Sequence, residues 1–190
     1  LISEKISKAV EEEKEGQVSW THVHSILLMI YSIIEEPVHD TIAEFVSLYY
    51  DMIIDSAASK VPRLRETALF VLGLIIKNYP KVVTDVDSDN RIKSIINLIQ
   101  KALELDEQQM SNASSDDIAI FSRYAMLIYY LSSAWKDYNF DSQISKYFDD
   151  FYDILGVLFN IGILNSDMFL IQNSSEALNQ LIFNSTPDLT

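Results

Sequence analysis

Apolar residues recur along this chain at the three- and four-residue spacing of amphipathic helices, as in residues 92–103. The run Ile26–Ile34 is apolar on almost every face, which is typical of a helix buried between neighbours. Only 4 Gly and 4 Pro occur among 190 residues, which leaves little room for the tight turns of a many-stranded sheet. The pattern therefore predicts an all-α fold of long helices joined by short polar loops.

The first half of the chain contains an internal repeat. Two segments superpose at an offset of 43 residues, and the matching positions are Trp20 with Arg63, Ile26–Ile33 with Leu69–Ile76, and Pro37 with Pro80. Each segment predicts a first helix closed by proline, which cannot continue a helix, and a second helix follows each of them. Helix-pair repeats of this length are typical of stacked solenoids of the HEAT and armadillo type. We therefore predict an α-α superhelix of stacked helix pairs.

We expect one solenoid segment over residues 1–190. Its predicted parts are a tail helix of a preceding repeat at 1–16, a first pair at 19–58, a second pair at 62–104, an acidic loop without periodicity at 105–117, a third pair at 118–160, and a last helix at 166–184. Gly156 and Gly162 are expected to mark the end of the third pair, and Gly73 to permit a close contact between helices. Because the first residue is Leu1 and not Met, we expect the sequence to be an excerpt of a longer protein.

Two of the predicted helices have well-defined apolar faces. In the second helix of the first pair, the predicted packed face is Ile42, Phe45, Val46, Leu48, Tyr49, Met52 and Ile53. In the last helix, the apolar positions are Met168, Leu170, Ile171, Ala177, Leu178 and Leu181.

The chain is acidic. Lys and Arg total 14 against 28 Asp and Glu, so the formal net charge is −14. Nucleic acid and anionic membranes bind clustered cations, so we expect neither as the main partner, whereas a basic protein partner is compatible with this charge. The sequence contains no Cys, which excludes disulfides, Cys-based zinc sites and Cys nucleophiles and is consistent with a reducing compartment.

The sequence contains no catalytic or metal-binding motif that meets its chemical requirements. Segment 85–89 has Asp at alternate positions, as a calcium loop does at its start, but the later Gly and Glu positions hold Asn90 and Ile96. His22 and His24 are two residues apart and do not face each other on a helix. No glycine-rich phosphate loop or nucleophile motif is present. We therefore expect a protein that is not an enzyme, with no catalytic residue, metal or cofactor.

The polar faces of the second helices are the candidate binding surface, because in stacked pairs these helices usually line the concave side. The candidate protein-binding residues are Glu44, Asp51 and Asp55 in the first pair, Lys93, Asn97 and Lys101 in the second, and Asp149 and Asp153 in the third, accompanied by Ser47, Ser94 and Ser145. The expected wall is acidic, then basic, then acidic. Such a wall suits a protein ligand of mixed charge better than a polyanion.

Two stretches carry a family resemblance. The first is Trp20-x-x-Val23 followed by an apolar helix that ends Ser32-Ile-Ile-Glu35-Glu36-Pro37. The second is Pro62-Arg-Leu-Arg65-Glu-Thr-Ala-Leu-Phe-Val-Leu-Gly73, in which arginine precedes a helix of the Thr-Ala-x-x-x-Leu-Gly kind. Both are similar to the karyopherin-β family of nuclear import and export receptors, in its transportin-SR-like branch. The resemblance covers residues 19–80, and beyond them only the helix-pair rhythm continues.

The resemblance implies binding rather than catalysis. It implies a flexible solenoid whose inner face holds cargo or Ran-GTP, whose outer helices bind Phe-Gly nucleoporin repeats, and which is found in the cytoplasm and nucleus. A HEAT-repeat scaffold subunit of another protein complex is the open alternative, and binding to Ran-GTP or Phe-Gly repeats separates the two. An all-α enzyme is a third possibility, and it would need a polar pocket that the sequence does not show.

Overall fold

In a computed structural model of the chain, the described residues are 20–35, 40–84, 88–137 and 145–185. They form ten α-helices and one 3-10 turn, and no strand occurs among them. The all-α prediction is therefore confirmed for this part of the chain. Contacts divide the chain into two compact units, Leu1–Tyr79 and Pro80–Thr190. The predicted tail helix at 1–16 lies outside the described residues.

The first unit has four described helices, which are α1 (Trp20–Ile34), α2 (Asp40–Leu48), α3 (Tyr50–Ala57) and α4 (Pro62–Asn78). Helices α1 and α3 both pack against α4. The core between them is mostly aliphatic, and its fully buried members include Leu27, Ile30, Ile53, Leu72 and Ile75. Each such side chain contributes about 1.5–3 kcal/mol when it is fully buried, so packing against α4 holds this unit together.

Proline sets both ends of α4. Pro62 stands at the first position of the helix, where its missing N–H costs no hydrogen bond, and Val61 before it is extended. At the other end, the Tyr79 N–H donates to the Ile75 carbonyl at 2.7 Å, and Pro80 has no N–H with which to continue the helix. These are the boundaries that the sequence predicts.

The predicted second helix of the first pair is divided into α2 and α3 at Tyr49, whose φ of −107° and ψ of 6° interrupt the helix. Val46, Tyr49, Met52 and Ile53 are buried as predicted. The prediction for Leu48 is wrong, because its side chain is 76% exposed. Leu48 is two residues from Val46, which places it about 200° around a helix and away from the packed face.

Helix α1 ends at Ile34, and one prediction about it needs correction. Its apolar sequence predicts burial on all sides, but Leu28 and Met29 are exposed among the described residues. The side of α1 that faces α4 is buried, including Val23 and Ile30. Apolar composition predicts that a helix packs, but it does not state which sides are covered.

In the second unit, the described residues form six α-helices and the 3-10 turn. These are α5 (Lys81–Thr84), α6 (Ser88–Ala102), α7 (Glu107–Ser111), α8 (Ser115–Asp137), the turn Ser145–Tyr147, α9 (Phe148–Leu164) and α10 (Met168–Ser185). Helices α8 and α9 both pack against α10, and α9 also contacts α6, α7 and α8. Among the fully buried side chains of this unit are Tyr124, Phe151, Leu158, Leu170 and Leu181.

The predicted loop at 105–117 contains a short helix, α7, and the start of α8. The Asp106 carboxylate accepts from the Gln109 backbone N–H at 2.8 Å, and the Gln109 side chain accepts from the Asp106 N–H at 3.0 Å. Ser114 and Asp117 cap α8 in the same reciprocal way, so α8 begins at Ser115 rather than at residue 118. The loop was predicted because this stretch lacks apolar periodicity. Capping boxes stabilise a helix start through polar side chains, so they do not depend on that periodicity.

The two glycines predicted to end the third pair lie inside α9, which continues to Leu164. A Cβ on Gly162 would lie 2.9 Å from Ile171 Cγ1 and 3.1 Å from the Ile171 backbone nitrogen, so this glycine permits α10 to approach α9 closely. A tight turn through Ser166, which has a φ of 54°, leads to Asp167. The Asp167 carboxylate accepts from the Leu170 N–H at 2.7 Å and caps α10, where the sequence places the helix start.

Most of the predicted apolar positions of α10 are at least partly buried, with Leu170, Ala177 and Leu181 inaccessible to solvent. Met168 is the exception, because its side chain is 73% exposed. It lies about 200° around the helix from Leu170 and therefore faces away from the core. None of the helices described here has both the length and the apolar character that a membrane crossing requires.

Candidate protein-binding surfaces

Equivalent positions of the two predicted repeats meet in the first unit. His24 Nε2 lies 3.0 Å from Thr67 Oγ1, and these residues are 43 positions apart. The Thr67 hydroxyl donates to the Arg63 carbonyl at 2.9 Å, so the hydroxyl oxygen accepts from His24. At the other end of the same helices, Asn78 Nδ2 donates to the Ile34 carbonyl at 3.2 Å. Like ends of α1 and α4 therefore lie together, and the two helices run parallel.

A second asparagine makes the same kind of link in the second unit. Asn184 Nδ2, one residue before the end of α10, donates to the Ser132 carbonyl near the end of α8. Asn78 has a similar position in the first unit, since it is the last residue of α4. In both units, an amide near the carboxyl end of one helix donates to a carbonyl in the carboxyl-terminal part of the helix beside it. Neither link was predicted from the sequence, in which each asparagine precedes a proline by two or three positions.

The predicted acidic residues of the first unit are exposed. Glu44 lies on α2, and Asp51 and Asp55 lie on α3. The interruption at Tyr49 therefore divides this set between two helices. Asp51 is in the first turn of α3, where a carboxylate is stabilised by the helix dipole.

The second and third predicted sets lie on neighbouring helices of the second unit. Lys93, Asn97 and Lys101 are exposed on α6, and Asp149 and Asp153 are exposed in the first two turns of α9. These two helices are in contact. Gln100 Nε2 donates to Asp150 Oδ1 at 3.4 Å, and both of these residues adjoin the predicted ones in sequence. The structure therefore places the helix that carries the two lysines in contact with the helix that carries the acidic pair.

A small charged cluster joins α6 to the 3-10 turn. Asp89 accepts from Lys146 at 3.1 Å and from Lys93 at 3.2 Å. Hydrogen bonds from Lys146, Tyr147 and Lys93 lower the pKa of the Asp89 carboxyl to about 2. Burial raises the pKa of Tyr147 above its ordinary value, and its bond to Asp89 adds to this. One predicted binding residue, Lys93, thus also has a structural partner.

Helix α9 has an exposed apolar row that was not predicted from the sequence. Tyr152, Phe159 and Ile163 are 48%, 36% and 52% exposed, and Gly156 is exposed between them. Their spacing of three and four residues places all four on one side of the helix. Asp149 and Asp153 lie on the same exposed side, next to this row. The signal in the sequence was the three-and-four spacing of large apolar residues around a glycine.

Gly156 has no steric reason for being glycine among the described residues. A Cβ built at this position meets no atom within 4 Å. Glycine inside a helix is about 1 kcal/mol less favourable than alanine. Gly156 therefore differs from Gly162, whose missing side chain lets α10 pack closely.

His24 and Asp89 have bonding partners other than a metal ion. No group of three or more His, Asp or Glu within the described ranges is placed to hold a metal ion. His24 bonds Thr67, and Asp89 bonds two lysines. Asp85 and Asp87 of the acidic segment lie outside the described residues.

No model of a protein family matches this chain, and neither the curated proteins nor the solved structures searched contain a significantly similar relative.

Proposed function

We propose that this chain binds other proteins as a segment of stacked HEAT-type helix pairs, and that the segment belongs to a nuclear transport receptor of the karyopherin-β kind. The observation that carries the first part is the contact between His24 and Thr67, because its separation of 43 residues equals the predicted repeat offset. The second part rests on the sequence resemblance of residues 19–80.

Stacked repeats place equivalent positions of successive repeats side by side, since each repeat contacts only its neighbours. Parallel packing of α1 and α4 agrees with this arrangement. The packing of α8 and α10, which share the asparagine link, agrees with it as well. In each unit, the helix that lies between the two linked helices in sequence also packs on the later one, as α3 does on α4 and α9 on α10.

The exposed polar rows support a protein ligand. Lys93, Asn97 and Lys101 are exposed on α6, Asp149 and Asp153 are exposed on α9, and these two helices are in contact, so the second unit exposes both charges. A polyanion such as nucleic acid would be repelled by the acidic row, whereas a protein surface of mixed charge can match both.

The direct test is binding of the natural full-length protein to Ran loaded with GTP or GDP, and to a Phe-Gly repeat segment. The transport proposal expects strong binding that is selective for the GTP form, together with binding to the repeats. If a folded, helical protein binds neither, the transport proposal fails. The alternative is then a HEAT-repeat scaffold subunit of another complex.

The acidic row of the first unit gives a second test. We expect Asp51→Lys combined with Asp55→Lys to weaken the binding of cargo or Ran-GTP by about tenfold or more. Exposed charges across an interface set the orientation and the rate of association. Glu66→Lys is a matched control, because Glu66 is exposed on α4 and lies outside the predicted rows. Equal binding by the double variant and the control would argue against this surface.

A further inference from the structure

The outward side of α9 has two parallel rows. The first contains Tyr152, Gly156, Phe159 and Ile163, and the second contains Asp149 and Asp153 followed by Asn160. All seven positions are exposed. This surface, called the α9 face below, is therefore apolar along one edge and acidic at the amino-terminal half of the other.

Part of the α9 face has a restricted conformation before any partner binds. The ring of Tyr152 stacks on Phe148 with centroids 6.0 Å apart and planes 23° from parallel. A ring that is already held in place loses less conformational freedom when it becomes buried in an interface. Aromatic side chains of this kind commonly anchor protein complexes.

Gly156 lies in the middle of the apolar row and exposes bare helix backbone there. It has no packing role among the described residues, whereas Gly162 in the same helix has one. A missing side chain at the centre of an exposed apolar row lets another backbone approach closely. The three-and-four spacing of the row forms ridges and a groove that match those of a second helix.

We propose that the α9 face binds an amphipathic helix of a partner protein. The partner helix places aliphatic side chains on Tyr152, Phe159 and Ile163, crosses α9 with a small residue at Gly156, and directs Lys or Arg side chains toward Asp149 and Asp153. Two exposed carboxylates and a net charge of −14 select a basic partner. The inference rests on the proposed protein-binding function and names the chemistry of one partner.

The test is selection from a displayed library of helical peptides against the full chain. We expect the enriched peptides to share an aliphatic stripe, a small central residue and flanking Lys or Arg. Gly156→Ala should weaken their binding by about tenfold while it raises the urea midpoint of unfolding, because Ala favours the helix. A loss of binding in a more stable protein cannot be ascribed to misfolding.

Asn179→Ala on α10 is the matched control, because it also exchanges an exposed helical residue for Ala and lies outside the α9 face. It should leave peptide binding unchanged. Asp149→Lys combined with Asp153→Lys should weaken the binding of the basic peptides by at least about tenfold.

The proposal is overturned if no peptide is enriched, if acidic peptides are enriched, or if the enriched peptides ignore both the glycine and the charge variants. It is also overturned if Gly156→Ala abolishes self-association of the chain instead, since the occupant is then a second copy. Ran binding is measured separately: selected peptides without Ran binding refute the transport receptor only, and Ran binding without selected peptides refutes the α9 face only.

Discussion

At the scale of single residues, the two glycines of α9 have opposite consequences. We expect Gly162→Ala to destabilise the protein by about 1–3 kcal/mol, the usual cost of an overpacked contact. The new Cβ would lie 3.1 Å from the backbone nitrogen of Ile171, which cannot turn away as a side chain can. Urea unfolding followed by circular dichroism measures this, and unchanged stability would show that α10 moves without cost.

The hydrogen bond between His24 and Thr67 gives a second prediction at this scale. Thr67→Val removes the acceptor of His24 while the volume of the side chain is kept, and we expect it to lower the free energy of unfolding by about 0.5–1.5 kcal/mol. Thr67→Ser retains the hydroxyl and is the control. If the valine and serine variants are equally stable, the bond between α1 and α4 contributes nothing measurable.

At the scale of elements, α10 depends on its cap. The Asp167 carboxylate satisfies the Leu170 N–H at the helix start. We expect Asp167→Ala to cost about 1 kcal/mol of stability and Asp167→Asn to cost much less, because asparagine also caps helices well. Thermal or urea unfolding of both variants compares them, and an alanine variant as stable as the asparagine one would contradict the assignment.

The link between α6 and the 3-10 turn gives a prediction for pH. The pKa of Asp89 falls from 3.8 to about 2 in the folded protein, so ionised Asp89 favours folding. This contribution is present above pH 3.8 and is lost as the pH falls through about 2. The Asp89→Asn variant should therefore be less stable than the natural sequence at pH 7, and the stabilities of the two proteins should converge toward pH 2. Urea midpoints across this range are the measurement, and a separation that does not change with pH would refute it.

The same link should weaken with salt. Lys93, Lys146 and Asp89 are all partly exposed, so dissolved ions screen them. The stability difference between the natural sequence and Asp89→Asn should accordingly shrink between low and high ionic strength at pH 7.

At the scale of the whole molecule, the division at Tyr79 and Pro80 has a direct consequence. Residues 80–190 have their own buried core, built mainly from α8, α9 and α10. We expect this fragment, produced alone, to be helical and to unfold cooperatively in urea, as compact units with their own cores do. A fragment that lacks a cooperative transition would show that the first unit is needed for its fold.

The sequence predicted the helices well because the information for them is local. The spacing of apolar residues located most of the core, and the prolines at 62 and 80 bounded α4. The capped start of α10 was also readable from a few adjacent residues. Polar capping boxes around residues 106–117 are equally local, but apolar periodicity gives no signal for them.

For the candidate surfaces as well, one part was predictable from the sequence and another part was not. The sequence predicted the charged residues and Asn97 of the polar rows on exposed helix faces, and all eight of them are exposed, whereas Ser47 and Ser94 are half-buried. It could not show that α6 and α9 are neighbours, since Gln100 and Asp150 are 50 residues apart. It also could not show that the apolar row of α9 stays uncovered, because apolar spacing looks the same whether or not a partner helix packs on it.

By itself, then, the sequence determined the helical class, the ends of α4 and the start of α10, because short-range sterics, capping and periodicity act within a few residues. Tertiary structure alone decided the interruption at Tyr49, the exposure of Leu28 and Met29, and the different surroundings of Gly156 and Gly162. It also decided the two asparagine links. Each of these depends on which helices come into contact, and contacts between distant residues are set by the packing of the whole unit.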